Sequence, residues 1–138
     1  MTVVDYIALT LQGDSLDPAD VTHQLGVQPS QAFAKGDVTV HPLPTKFGYW
    51  RLRIDSPVGE VNACLSELLD TLRDRENVLA ALAQTYETTI TVVADLSGEN
   101  EGEINIIPAL LARIANAHAV LRFYWLYSDV NHELSDIE

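Results

Sequence analysis

The 138-residue sequence has little sulfur, little positive charge and no long apolar run. Its single cysteine, Cys64, excludes an internal disulfide and favours a reducing cytoplasm. Eight basic residues stand against twenty acidic ones, and the net charge of −12 would repel the phosphates of a nucleic acid. No apolar run could span a bilayer, and the residues after Met1 lack the pattern of a signal peptide. We therefore expect a cytoplasmic protein that binds neither nucleic acid nor membrane.

Motifs of catalysis, cofactor binding and metal binding are also missing. The four histidines, His23, His41, His118 and His132, have no second ligand at the spacing of a zinc site. Cys64 falls on the apolar stripe of a predicted helix, where a thiol usually serves packing. The glycines form neither a phosphate-binding loop nor a dinucleotide fingerprint. We expect no catalytic residue, no cofactor and no metal ion, and hence a protein that is not an enzyme.

The chain does contain the alternation of apolar and polar residues that is typical of an ordinary folded protein. The predicted strands are Val3–Gln12, Gly48–Asp55, Tyr86–Leu96 and Ala119–Tyr127, with weaker extended segments at Ala32–Ala34, Val38–His41 and Glu103–Ile107. A first helix is capped by Asp17, begins at Pro18 and closes at Gly26. A long helical region, Glu60–Thr85, has a polar interruption at Arg73–Asn77. Pro108 opens a last helix, whose period predicts a buried stripe of Leu110, Leu111, Ile114 and Ala115.

This order of elements predicts an α+β fold. Its first part follows the ferredoxin-like βαββαβ plan, to which one further αβ unit is added. We expect a mostly antiparallel sheet with the helices on one face. Residues 1–127 would form a single α+β domain, and residues 128–138 an acidic tail that frays. The other sheet face would be open or covered by a second subunit, so that both a monomer and a homodimer are compatible with the sequence.

Alternation along the predicted strands also places two sets of side chains on opposite faces of the sheet. Trp50 and Trp125 share the apolar parity, and we expect both to fill the core. The opposite parity carries arginines and tyrosines, which would form a binding face if the strands are neighbours: Tyr6, Tyr49, Arg51, Arg53, Arg122 and Tyr124. Such a face can hold an anion, stack a base or anchor a protein partner. The alternative is cross-strand pairing of the arginines with Asp5, Asp55 or Asp95, with the tyrosines as covering side chains.

Three short motifs in one region carry a family resemblance. A helix ends in Leu-Gly-Val-Gln-Pro at 25–29, a Lys-Gly-Asp turn follows at 35–37, and a strand begins with Tyr-Trp-Arg-Leu at 49–52. Together with the leucine-rich helix near Leu68 and the final aromatic strand, they resemble the bacterial domain-of-unknown-function family 4279, from about Val3 to Tyr127. The resemblance implies no established reaction. By analogy, small acidic domains of this kind are similar to immunity proteins of bacterial toxin systems.

Two functions are compatible with these observations. The first is a non-catalytic interaction protein, of the immunity type, that captures a basic partner protein because its acidic surface attracts positive charge over long range. The second is a module that binds a small ligand or anion on the open sheet face, with Arg51, Arg53 and Arg122 as charge anchors.

Overall fold

The fold is seen in a computed structural model that describes residues 3–40, 43–55, 59–95 and 103–126. The strands are β1 (Val3–Gly13), β2 (Gln31–Phe33), β3 (Gly48–Asp55), β4 (Glu87–Asp95) and β5 (Val120–Leu126). The α-helices are α1 (Pro18–Leu25), α2 (Val61–Thr71), α3 (Glu76–Leu82) and α4 (Pro108–Asn116), with a 3-10 turn at Arg73–Arg75. The predicted interruption of the long helical region is thus confirmed.

Of the weaker extended segments, only Ala32–Ala34 takes part in the sheet, as β2. Residues 38–40 and 103–107 lie in no strand, because neither segment pairs with a neighbouring strand. The acidic tail, predicted at 128–138, lies outside the described residues. The assignment of residues 1–127 to a single domain stays a prediction.

The five strands form one mixed sheet in the order β2-β3-β1-β4-β5. The pairs β2–β3, β3–β1 and β1–β4 are antiparallel, and β4–β5 is parallel. A register shift between Val4 and Tyr6 turns Val4 into the core, although its sequence parity is that of Tyr6. The chain is therefore an α+β protein whose sheet is mostly antiparallel. Its one parallel strand, β5, lies at the edge of the sheet, and α4 connects it to β4.

In the described residues the helices pack on one face of the sheet and enclose a single apolar cluster. The sheet contributes the apolar-parity residues of its three central strands, and α2 covers them with an apolar stripe. Among its fully buried large members are Ile7, Leu9, Leu11, Trp50, Ile90, Leu65, Leu68 and Leu69. The predicted one-sided arrangement of helices is confirmed, and no helix of the described ranges lies on the opposite sheet face.

Helix α1 is held by the end signals that the sequence predicts. The Asp17 carboxylate accepts a hydrogen bond from the backbone N–H of Ala19 at 3.1 Å, and Gly26 closes the helix at φ 72°. The indole N–H of buried Trp50 donates to the hydroxyl of Thr22 at 3.0 Å and so ties β3 to α1. Since Trp50 is fixed in the core, its neighbours Tyr49 and Arg51 must point to the helix-free face.

Trp125 does not fill the core as predicted. Its side chain stacks on Phe123, with ring centroids 6.0 Å apart, yet 40% of the residue is exposed. Leu111 and Ala115, which the helical period assigned to the buried stripe of α4, are also exposed. Both errors have one cause: α4 and β5 lie at the edge of the fold, where only part of each apolar face finds a covering neighbour.

Helix α2 supplies a first testable prediction, because Glu60 caps its N-terminus. The Glu60 carboxylate accepts hydrogen bonds from the backbone N–H groups of Asn62 at 2.9 Å and Ala63 at 3.0 Å. The bond from the Asn62 N–H is the largest cause of a lowered pKa of Glu60. We expect Glu60→Ala to lower the free energy of unfolding by about 1 kcal/mol at neutral pH, measured by urea titration.

The sign of the pH dependence follows from the lowered pKa. The capping contribution is present above the ordinary glutamate pKa of 4.5 and is lost as the pH falls through the lower folded-state pKa of Glu60. The difference between wild type and Glu60→Ala should therefore shrink in acid. Glu67→Ala is the control, since Glu67 is an exposed acid of the same helix away from its cap. An undiminished difference in acid would contradict the capping role.

A candidate binding groove on the helix-free sheet face

The helix-free face of the sheet is a groove with a floor of small side chains. The floor is formed by the two central strands, through Ala8 and Thr10 of β1 and Thr89, Thr91 and Val93 of β4. The walls are larger side chains, Tyr49 and Arg51 from β3 and Arg122, Tyr124 and Leu126 from β5, with Tyr6, Gln12 and Glu87 completing the lining. The cavity has a volume of about 410 Å³. We call it the sheet groove.

Strand register decides which of these side chains face one another. Arg51 lies beside Thr10, which lies beside Thr89, and Arg122 lies beside Thr91. The two arginines thus stand on opposite walls but in neighbouring rows: Arg51 shares a row with Thr10 and Thr89, and Arg122 shares the next row of the same face with Thr91 and Ala8. Three strand spacings across the sheet and two residues along it place their backbones about 16 Å apart, on a diagonal that passes over Thr10 and Thr91.

A second row of the groove is aromatic. Tyr6 and Tyr124 lie on either side of Val93 in the register. Two strand spacings place their backbones about 10 Å apart. Tyr6 is held in place by two cations: the guanidinium carbon of Arg53 is 3.7 Å from its ring centre and that of Arg51 is 5.5 Å away. The groove therefore presents two tyrosines on either side of Val93: Tyr6, whose ring is held by the arginines, and Tyr124, which is exposed.

Five of the six residues predicted for the binding face line the sheet groove, and Arg53 does not. Arg53 turns to the rim, where its Nε donates to the Asp55 carboxylate at 2.8 Å while its guanidinium covers Tyr6. The alternative prediction, cross-strand pairing of an arginine with an acid, is met only in part: Arg53 does pair with Asp55, but both residues belong to β3. In the described ranges the guanidinium groups of Arg51 and Arg122 make no ion pair or hydrogen bond, and that of Arg51 only approaches the Tyr6 ring. Their N–H donors are available to a ligand.

The threonine floor is a part of the groove that the sequence reasoning did not identify. The sequence does show that these threonines point away from the core, because Thr89 and Thr91 alternate with the core residues Ile90 and Val92. A polar parity says only that a side chain points away from the core. It does not say which strand lies beside which, and the floor exists only because β1 and β4 are neighbours flanked by the arginine-bearing strands β3 and β5.

A second cavity, of about 570 Å³, lies at the loop between β2 and β3. Its lining is mostly apolar, with Phe33, Val40, Leu43 and Phe47 as the large members and Lys46 as the charged one. Although this cavity is larger, it brings few polar groups to a common point. Binding sites combine apolar walls with a few convergent polar groups, and the sheet groove meets that description better.

Within the described ranges there is no cluster of three or more His, Cys, Asp or Glu side chains that could hold a metal ion. The same ranges contain no helix long and apolar enough to cross a membrane.

Fold and groove together define an α+β protein with a mixed five-stranded sheet and one open, arginine- and tyrosine-lined face. Residues 4–127 match the family described as Domain of unknown function (DUF4279), which covers most of the chain. The chain belongs to this family, and the resemblance seen in its sequence is thereby confirmed. No curated protein and no solved structure matches the chain.

Proposed function

We propose that this protein is a binding module whose sheet groove holds a small organic anion. The observation that carries the proposal is the pair Arg51 and Arg122, two cations that line opposite walls of one cavity, diagonally across Thr10 and Thr91, and form no ion pair among the described residues. An anionic group placed over Thr10 and Thr91 would receive charge-assisted hydrogen bonds from both walls. Each such bond contributes about 1.5–3 kcal/mol, enough for the groove to prefer anions despite the net charge of −12.

The aromatic row adds a second requirement to the ligand. A flat ring bound beside the anionic group would rest on Val93 between Tyr6 and Tyr124, in contact with one or both phenol rings. Aromatic pairs contribute about 0.5–1.5 kcal/mol beyond the area that they bury. The class of ligand is therefore an aromatic phosphate or carboxylate of a size that fits a cavity of about 410 Å³.

The test of this function is a calorimetric titration with phenyl phosphate. We expect saturable binding by the wild type, and a loss of roughly tenfold to over a hundredfold in affinity for Arg51→Ala. Arg73→Ala is the matched control, because it removes the same charge from the helix side, where Arg73 is exposed and lies 3.7 Å from Asp70. Absence of binding, or equal losses in the two variants, would overturn the proposal.

The contribution of the aromatic row is measured separately with inorganic phosphate as a second probe. Tyr124→Ala should weaken phenyl phosphate about twofold to tenfold and leave inorganic phosphate unchanged, because Tyr124 offers its ring to the flat part of the ligand. Equal weakening of both probes would show that Tyr124 shapes the anion site and not a ring site.

A second candidate function is capture of a basic protein in the cytoplasm, as for an immunity-type inhibitor. It is favoured by exposed acids on the helix side, including Asp20 on α1, Glu67 on α2 and Asp74 on the 3-10 turn. Such binding would weaken as salt rises, and Arg51→Ala with Arg53→Ala would leave it intact. A pull-down at low and moderate salt with this double variant separates it from the anion-binding function, which the same variant abolishes.

The ferredoxin-like plan bears on how the groove is built. The order β2-β3-β1-β4, with three antiparallel pairings, supports the assignment of the first four strands to that plan, in which β1 and β2 enclose β3. The added α4–β5 unit then supplies the second wall of the sheet groove, with Arg122, Tyr124 and Leu126. Without this unit the floor would have a single arginine-bearing wall.

A further inference from the structure

The outer edge of β5 is an exposed strand with unusual composition. Within the described ranges β5 pairs with β4 alone, whereas the sheet's other edge, β2, is only three residues long. Large apolar groups of β5 are exposed, among them Val120 at 55%, Trp125 at 40% and Leu126 at 45%. Edge strands are usually protected from pairing by charges, proline or a bulge. β5 has no acid and no proline, and its one charge is Arg122.

The sequence of β5 is complementary to itself in one antiparallel register. When a second copy is placed with Phe123 opposite Phe123, the remaining residues meet in suitable pairs. Arg122 faces the partner's Tyr124, Leu121 faces the partner's Trp125, and Val120 faces the partner's Leu126. The first pair is a cation beside an aromatic ring, and the other two are apolar. A register centred on Arg122 would instead oppose two like charges, and a shift by one residue would exchange the sheet faces.

We propose that two copies of this chain pair through β5 in the antiparallel register centred on Phe123, which makes one continuous ten-stranded sheet. Because no acid lies on β5, the contact avoids the repulsion that two chains of charge −12 would otherwise meet. A two-fold axis between antiparallel strands is perpendicular to the sheet, so the helices of both copies lie on one side. Both sheet grooves then open on the other side.

This arrangement changes the composition of the groove. The wall formed by β5 becomes shared, since the partner's Tyr124 lies beside Arg122 on the same face. Each groove gains an aromatic group from the second copy, and the two grooves meet along β5. The pairing itself depends on the exposed edge of the sheet and does not require that the groove bind an anion.

Sedimentation equilibrium of the full chain tests the pairing, with two double variants at the strand ends. Val120→Asp with Leu126→Asp places like charges opposite each other at both ends of the contact, and we expect a monomer. Val120→Lys with Leu126→Asp removes the same apolar groups but places opposite charges there, and we expect the dimer to persist. Both positions are exposed, so circular dichroism should show both variants folded.

Each outcome of this experiment decides the proposal. A wild-type dimer that the like-charge variant dissociates and the opposite-charge variant retains supports it. A wild-type monomer would overturn it, as would a dimer that survives in both variants, because the contact would then lie elsewhere. If both variants are monomeric, the register centred on Phe123 is wrong. Phenyl phosphate titration of the wild type is the separate test of the proposed function, because Leu126 lines the sheet groove and its substitution would affect both dimerisation and anion binding. Saturable binding by a wild-type monomer would overturn the pairing alone.

Discussion

Leu68→Ala will lower the free energy of unfolding by about 2–5 kcal/mol, the range for a fully buried leucine truncated to alanine. Leu68 is 0% exposed on the sheet-facing side of α2, within the same apolar cluster as Ile7, Leu9 and Trp50. The substitution removes apolar contacts and leaves a cavity that the sheet below cannot close, because its strands are held by their ladder of hydrogen bonds.

Urea titration of three proteins measures this effect. Leu111→Ala is the control, since Leu111 is a leucine of α4 with 45% of its surface exposed, and its truncation should change stability by less than about 0.5 kcal/mol. A loss below about 0.5 kcal/mol for Leu68→Ala would contradict the packing of α2 on the sheet.

Gly48→Ala will destabilise the protein by about 3 kcal/mol or more, at the upper end of the usual cost of overpacking. A Cβ atom at Gly48 would overlap the backbone carbonyl oxygen of Leu16 and lie 2.9 Å from its carbonyl carbon. Backbone cannot rotate away as a side chain can, so either β3 or the turn between β1 and α1 must move. Since Gly48 begins the strand that presents Tyr49 and Arg51, groove binding should weaken as well.

Gly13→Ala is the matched control for this prediction, because Gly13 is the cross-strand partner of Gly48 in the β1–β3 ladder. Its added Cβ would meet the side chain of Tyr86, with Cδ1 at 2.8 Å. A partly exposed ring can shift, and we expect a clearly smaller loss in thermal and urea unfolding. Equal losses for the two variants would argue against a backbone clash at Gly48.

Local structure was predictable where one residue type has one physical role. The Asp17–Pro18 start and the Gly26 end of α1 depend on groups within the helix itself, and they occur where the sequence predicts them. The two faces of β3 were equally predictable, because the buried Trp50 and Leu52 alternate with Tyr49 and Arg51. These properties require only the neighbours along the chain.

Features that depend on which strands pair could not be predicted from the sequence. The pairing of β1 with β4 turns Thr10, Thr89 and Thr91 into one floor, and no local pattern specifies that pairing. The exposure of Trp125 could not be predicted for the same reason. Its position in β5 points it to the core side of the sheet, but β5 is an edge strand and leaves the ring partly uncovered. Arg53 was assigned to the binding face by parity alone, and its ion pair with Asp55 depends on the rotamers of both side chains.

Binding of an aromatic anion in the sheet groove is tested most sharply by an NMR titration of the isotope-labelled wild type with phenyl phosphate. We expect saturable shifts of the backbone amide resonances of the floor, at Thr10, Thr89 and Thr91, and of the walls, at Arg51 and Arg122. Resonances of the helix side, such as those of α2, should remain unchanged. Shifts confined to the helix side, or no saturable shift in the groove, would rule out binding at this face of the sheet.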